Sequence, residues 1–223
     1  PVAGDDGRLR NRFITLANVA SATPAAIRAG NERVVRPRLS DANFFYTADR
    51  ARRLDSRLPG LDAMLYEKRL GSLGDKTRRV EQLCGTLAAA CGADLEAATR
   101  AAMLSRCDLL SDLVGEFPEL QGTMGRYYAL NDGLAPAVAD AIEDHYKPRF
   151  AGDALPRGAA GVVVALADKL ETLVGMFGIG NLPTGDRDPF ALRRHALGVI
   201  RMLVEKDLPL DLNVVLNSAW SVY

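Results

Sequence analysis

From about residue 31 to its end the sequence places apolar residues at helical spacing almost without interruption. In "LSDANFFYTADRARRL", Leu39, Ala42, Phe45 and Tyr46 fall at helical spacing, and Pro59-Gly60 breaks the pattern. "SLGDKTRRVEQLCGTLAAACG" is amphipathic and closes on Gly92, and the next helix starts from a capping Asp94. Further helices are expected over roughly 118–129, 134–146, 157–177, 188–206 and 211–222. The fold class is mainly α, with a small β piece at the front.

That front reads as a ribbon. Asp6-Gly7 is a hairpin turn signal, Phe13 to Val19 is rich in β-forming residues, and the strand before the turn is cut short. Thr23-Pro24 starts a short helix that ends near Gly30. The expected organisation is the truncated end of a β-containing module over 1–30, a helical linker over 31–72 and a helical domain over 73–223. A length of 223 residues suffices for a substantial core.

Twenty-eight basic and 28 acidic residues cancel, so any nucleic-acid surface must come from local clustering. Cys84, Cys91 and Cys107 form no zinc or redox motif, which points to free thiols in a reducing cytoplasm. The longest apolar run, "GVVVALA" at 161–167, is broken by Asp168 and Lys169, far short of the roughly 20 residues that span a bilayer. The start, "PVAGDDGRLRNRF", is no signal peptide.

Three stretches carry candidate chemistry. In "LPTGDRDPFALRRHALGVIRML", Asp188-Pro189 reads as a helix start, with Pro189 at the first helical position. The loop lacks the glycines and lysine of a phosphate cradle, which leaves Arg193 and Arg194 as polyanion contacts or surface salt bridges. In "EFPELQGTMGRYYAL", Gly122 and Gly125 imply a close neighbour or a break. Tyr127-Tyr128 beside Arg126 either stack on a base or are buried with bonded hydroxyls. The first half is dense in arginine, including Arg36 and Arg38, then Lys76, Arg78 and Arg79.

The order of "AAMLSRCDLL", "EDHYKPRFAGDALP" and "ALADKLETL" resembles the HD superfamily of metal-dependent phosphohydrolases. Asp168 matches that family's late Asp, and His145 one of its histidines. Its early His falls near Lys76-Thr77, and its His-Asp pair at Ser105-Arg106 or Cys107-Asp108. With two histidines in the chain, the metal set cannot be assembled, so His145 and Asp168 are vestigial candidates in a degenerate HD-like domain.

Longer phrases resemble the β subunit of bacterial heterotetrameric glycyl-tRNA synthetase: "GNERVVRPRLSDANFFYTADR", "CDLLSDLVGEFPELQGTMGRYYA" and "ADKLETLVGMFGIGNLPTGDRDPFALRRHALGVIRML". The similarity runs end to end and covers an internal piece of that subunit. It implies a non-catalytic role in tRNA recognition within an α2β2 assembly, with no cofactor here. It also implies that ATP and Mg belong to the α subunit, which would charge glycine tRNA, and that neither DNA nor a membrane is a partner. His195 stands where the family is expected to have Ala, which argues against a catalytic role. The expected tRNA contacts are Arg36, Arg38, Lys76, Arg78, Arg79, Arg126, Arg149, Arg193 and Arg194, chosen from clustering. A residual phosphohydrolase and a structural spacer are the alternatives.

Overall fold

The structure is a computed structural model that describes residues 2–18, 20 and 22–223. It is mainly α, and it divides into two units, residues 1–45 and 46–223.

In the first unit, β1 (Val2–Ala3) pairs antiparallel with β2 (Leu9–Arg10), Val2 opposite Arg10 and Ala3 opposite Leu9. The turn between them uses Gly7 at φ +71°, where a side chain would be strained. The Asp6-Gly7 hairpin is therefore present, but Phe13–Val19 is not its strand. Residues 13–18 have no ladder partner, Ile14 and Leu16 are exposed, and Val19 lies outside the described residues. Helix α1 (Pro24–Arg50) begins at Pro24 as expected, yet passes Gly30 and Pro37 and ends only at Arg50. An internal Gly costs about 1 kcal/mol, which is not enough to stop a helix of this length.

The second unit holds the core. A 3-10 segment (Asp55–Ala63) leads to the small antiparallel pair β3 (Leu65–Glu67) and β4 (Gly71–Ser72). Helix α2 (Leu73–Leu87) follows with a full capping box, Ser72 and Asp75 bonding each other's backbone N–H. Asp94 caps α3 (Leu95–Leu104), and Ser111 caps α4 (Asp112–Glu116). Where one helix over 118–129 was expected, a 3-10 turn (Pro118–Leu120) precedes a break at Gly122, φ +81°, and then α5 (Thr123–Asn131). Both readings of the glycines hold. Gly122 makes the break and lies against the Tyr146 ring, while Gly125 admits Ile142 and Asp108.

Helices α6 (Pro136–Asp144), α7 (Ala159–Gly178), α8 (Leu192–Glu205) and α9 (Leu212–Trp220) complete the unit. Helix α8 starts four residues later than Asp188-Pro189 suggested. Asp188 still caps it, accepting from the N–H of Leu192 and Arg193, but Ala191 sits at φ +53° between them, so Pro189 lies outside the helix. Helix α7 is central and packs against α2, α3, α6, α8 and α9. Its neighbours supply fully buried Leu83, Leu87, Leu104 and Ile142, and α7 itself buries Leu166 and Leu170. Each such side chain contributes about 1.5–3 kcal/mol on burial.

Candidate functional site

Helix α7 carries charge inside its apolar length. Ala160 to Thr172 is buried without a break, and Asp168, Lys169 and Glu171 lie within that run. Charges at such depth persist when they are paired. Lys76 arrives from α2: its Nζ lies 3.2 Å from Asp168 Oδ1, donates to Thr172 Oγ1 at 2.7 Å and bonds Glu171 Oε2. Arg79, one turn on, donates through Nε to Glu171 Oε1 at 3.0 Å. The Tyr223 hydroxyl donates to the same oxygen at 2.7 Å. Arg106, just past α3, donates to Asp168 Oδ1 at 2.5 Å.

The electrostatics follow from this wiring. Burial raises the Asp168 carboxyl, but Arg106 and Lys76 together outweigh it and hold the group well below the usual carboxylate range. Burial opposes charge on Lys76, yet Asp168 and Glu171 keep its amine above its ordinary value. Lys169 differs. Among the described residues no carboxylate pairs with it, and its Nζ donates to the His145 carbonyl at 3.2 Å. Burial lowers its amine to about 8, with Asp168 opposing and Arg106 and Lys76 reinforcing the fall. His145 is fully buried, and burial, then Arg106, push it down to about 3. The neutral ring donates from Nδ1 to the Ile142 carbonyl at 2.6 Å, which leaves Nε2 an acceptor without a partner.

This arrangement does not fit a metal ion. The HD resemblance expected histidines near Lys76-Thr77 and at Ser105-Arg106 or Cys107-Asp108; Lys76 and Arg106 instead bring two cations onto Asp168. A divalent ion there would meet both charges at close range. Among the described residues no three His, Cys, Asp or Glu side chains gather as ligands.

The expected RNA contacts separate by depth. Lys76 must be withdrawn: at 2% exposure and bonded on several sides, it cannot reach a phosphate. Arg79 is withdrawn for the same reason, its guanidinium being held by Glu171 and the Leu70 carbonyl. Arg78 is exposed but bonded to Asp62 at 2.9 Å and Asp75 at 2.7 Å. Arg126 is half-buried on Asp140 at 2.5 Å. Arg36 and Arg38 on α1, Arg149 in the α6–α7 loop and Arg193 and Arg194 on α8 are exposed. The tyrosine pair divides, Tyr128 being buried with its hydroxyl on Asp49 at 3.1 Å and Tyr127 being 48% exposed.

Sequence reasoning missed Arg106, Lys169 and Glu171. It also missed Asp49, whose carboxylate gathers Arg57, Tyr128 and the N–H groups of Asp112 and Leu113. One signal was available for Lys76: it lies in register with Val80, Leu83 and Leu87, on the apolar stripe of α2.

The sequence matches the glycyl-tRNA synthetase beta subunit family over residues 1–223. The chain belongs to that family. It is 63% identical over 220 residues to the glycine–tRNA ligase beta subunit of Delftia acidovorans, 98% of this chain and 31% of that protein. Against the same subunit of Polaromonas naphthalenivorans it is 60% identical over 225 residues, covering the whole chain and 32% of the relative. For Nitrosomonas europaea the figures are 58% over 224 residues, 100% and 31%. The chain thus spans about a third of the length of these family members. Among the described residues no helix is long and apolar enough to cross a membrane.

Proposed function

We propose that this chain serves the charging of glycine tRNA as a non-catalytic, tRNA-contacting part of a glycine–tRNA ligase β subunit. Its partners in this reading are the tRNA and an α subunit that carries the ATP- and Mg-dependent chemistry, joined as α2β2 in the cytoplasm. The domain carrying α7 is read as a degenerate HD-like bundle, with 1–30 and 31–72 as the flanking module and linker. The observation that supports this most is the sorting of its basic residues. Lys76, Arg79 and Arg106 are held on Asp168 and Glu171, whereas Arg36, Arg38, Arg149, Arg193 and Arg194 stand at the surface, where a guanidinium fork meets phosphate oxygens.

The test is equilibrium binding of the full-length β subunit to glycine tRNA and to an unrelated tRNA, at about 50 and 200 mM salt. The R36E/R38E and R193E/R194E variants should bind more weakly, each lost phosphate contact flattening the log–log salt slope by about 0.9. Unchanged affinity and slope in both would overturn the reading. A spacer role is favoured by one feature, the exposed Phe177 and Trp220 beside a groove of about 410 Å³ between α7 and α9. That role predicts intact tRNA binding and lost association with the α subunit when Trp220 is replaced.

A further inference from the structure

The cationic groups of the buried cluster continue outward along one aromatic side chain. Tyr146 follows His145, with their ring centroids 3.8 Å apart. The Arg106 guanidinium lies 5.5 Å from the Tyr146 ring centroid and that of Arg149 lies 5.6 Å from it. Two like charges on one ring repel unless something negative offsets them.

The neighbouring carboxylates are otherwise engaged. Asp168 is shared by Lys76 and Arg106. Asp108 is fully buried, accepts through Oδ2 from the N–H of Gly122 and Gly125, and burial raises its carboxyl to about 6. Asp153 bonds the backbone N–H of Arg149, not its guanidinium. Asp144 is held by Arg157 and Lys147. Among the described residues the Arg149 guanidinium has no ion pair, and it is exposed.

A second observation is independent of charge. The Tyr146 hydroxyl oxygen is buried and has no hydrogen-bond partner, and the same is true of Asp108 Oδ1 and His145 Nε2. Buried polar atoms are nearly always satisfied, so the Tyr146 hydroxyl is a donor left for a group from outside the chain, whereas His145 Nε2 and Asp108 Oδ1 are acceptors and take no part in holding an anion. We infer that Arg149, Arg106 and the Tyr146 hydroxyl form a seat for a phosphate group. Arg149 supplies the accessible guanidinium, Arg106 the inner one, and Tyr146, whose ring both approach, a neutral donor. Burial and then Arg106 keep His145 neutral. The phosphate is either a phosphodiester of bound RNA, which rests on the tRNA reading above, or a free phosphate or pyrophosphate.

The probe is inorganic phosphate, then pyrophosphate, titrated against full-length β subunit at constant ionic strength with chloride as control. The readout is thermal stability. Wild type should gain stability saturably, and Arg149→Ala and Tyr146→Phe should weaken apparent phosphate affinity roughly tenfold, the loss expected for one charge-assisted hydrogen bond. Neither variant removes an ion pair of the core, so both should melt like wild type without phosphate. Equal shifts in wild type and both variants, or no shift with either anion, would overturn the seat. Parallel tRNA binding separates the sources. Weaker tRNA binding by Arg149→Ala, with pyrophosphate competing, makes the ligand an RNA phosphate. A phosphate response that Arg149→Ala loses, in a wild-type subunit that binds no tRNA, keeps the seat for a free anion and removes the tRNA reading. Intact tRNA binding without a phosphate response removes the seat alone.

Discussion

Replacing Asp168 with Asn keeps the side chain's size and removes one negative charge at the point where α2, the segment after α3, and α7 meet. In the native chain its Oδ1 faces Lys76 Nζ at 3.2 Å and Arg106 at 2.5 Å. With the charge gone, Lys76 retains Glu171, but Arg106, 14% exposed, loses the one carboxylate with which it pairs among the described residues. Removing one partner of a buried ion pair costs about 3–5 kcal/mol, because the desolvated charge remains. For a unit of this size, about 2–4 °C of Tm accompanies each kcal/mol, so Asp168→Asn should melt roughly 6–20 °C lower.

The assay pairs thermal unfolding with aminoacylation by the assembled enzyme. The double variant Asp168→Asn with Arg106→Met should be more stable than Asp168→Asn alone, since the orphaned cation goes with its partner. A single variant melting within about 2 °C of wild type would refute the ion-pair account. Lost charging with an unchanged melting curve would instead place chemistry at Asp168.

Gly125→Ala should destabilise by about 1–3 kcal/mol despite a better helix propensity, because its Cβ would lie 2.7 Å from Ile142 Cγ2 in a fully buried site. Gly85→Ala in α2 meets nothing within 4 Å and should be neutral to stabilising by up to about 1 kcal/mol; urea midpoints compare the two. Acid should weaken the fold through its histidines. Burial lowers His145 to about 3 and His195 to about 4, below the unfolded value near 6.5, so the stability they provide is present above that value and lost as pH falls. At pH 5 each forfeits about 2 kcal/mol, against about 1 kcal/mol regained as Asp108, raised to about 6, takes up its proton. His195→Ala should therefore shallow the loss between pH 7 and 5, and an identical slope of urea midpoints would show that His195 does not titrate this way.

What could be read in the sequence was what neighbouring residues decide. The Asp6-Gly7 hairpin, the Asp94 cap and the helical identity of α7 depend on a few adjacent positions. Helix ends were less legible where longer contacts set them: Asp188 caps from four residues back, and α1 continues through Gly30 and Pro37. The ion cluster was illegible for a related reason. Lys76 meets Asp168 and Glu171 across separations of 92 and 95 residues, and a lysine beside two arginines looks like surface until that pairing is known.

The pattern still held a clue that composition hides. A helix apolar on all sides is buried on all sides, so the charges of "ADKLETL" required partners from other helices. Lys76 was the basic residue of α2 on the apolar stripe, while Arg78 lay off it and is the one left at the surface. The same criterion separates basic residues available to a polyanion from those that hold the fold. Clustering in sequence put Lys76, Arg78 and Arg79 in one group, and helical phase puts them in three environments: buried, exposed and half-buried. Position on the stripe, and not local charge density, is therefore the feature to read when choosing arginines for an RNA surface in a helical protein of zero net charge.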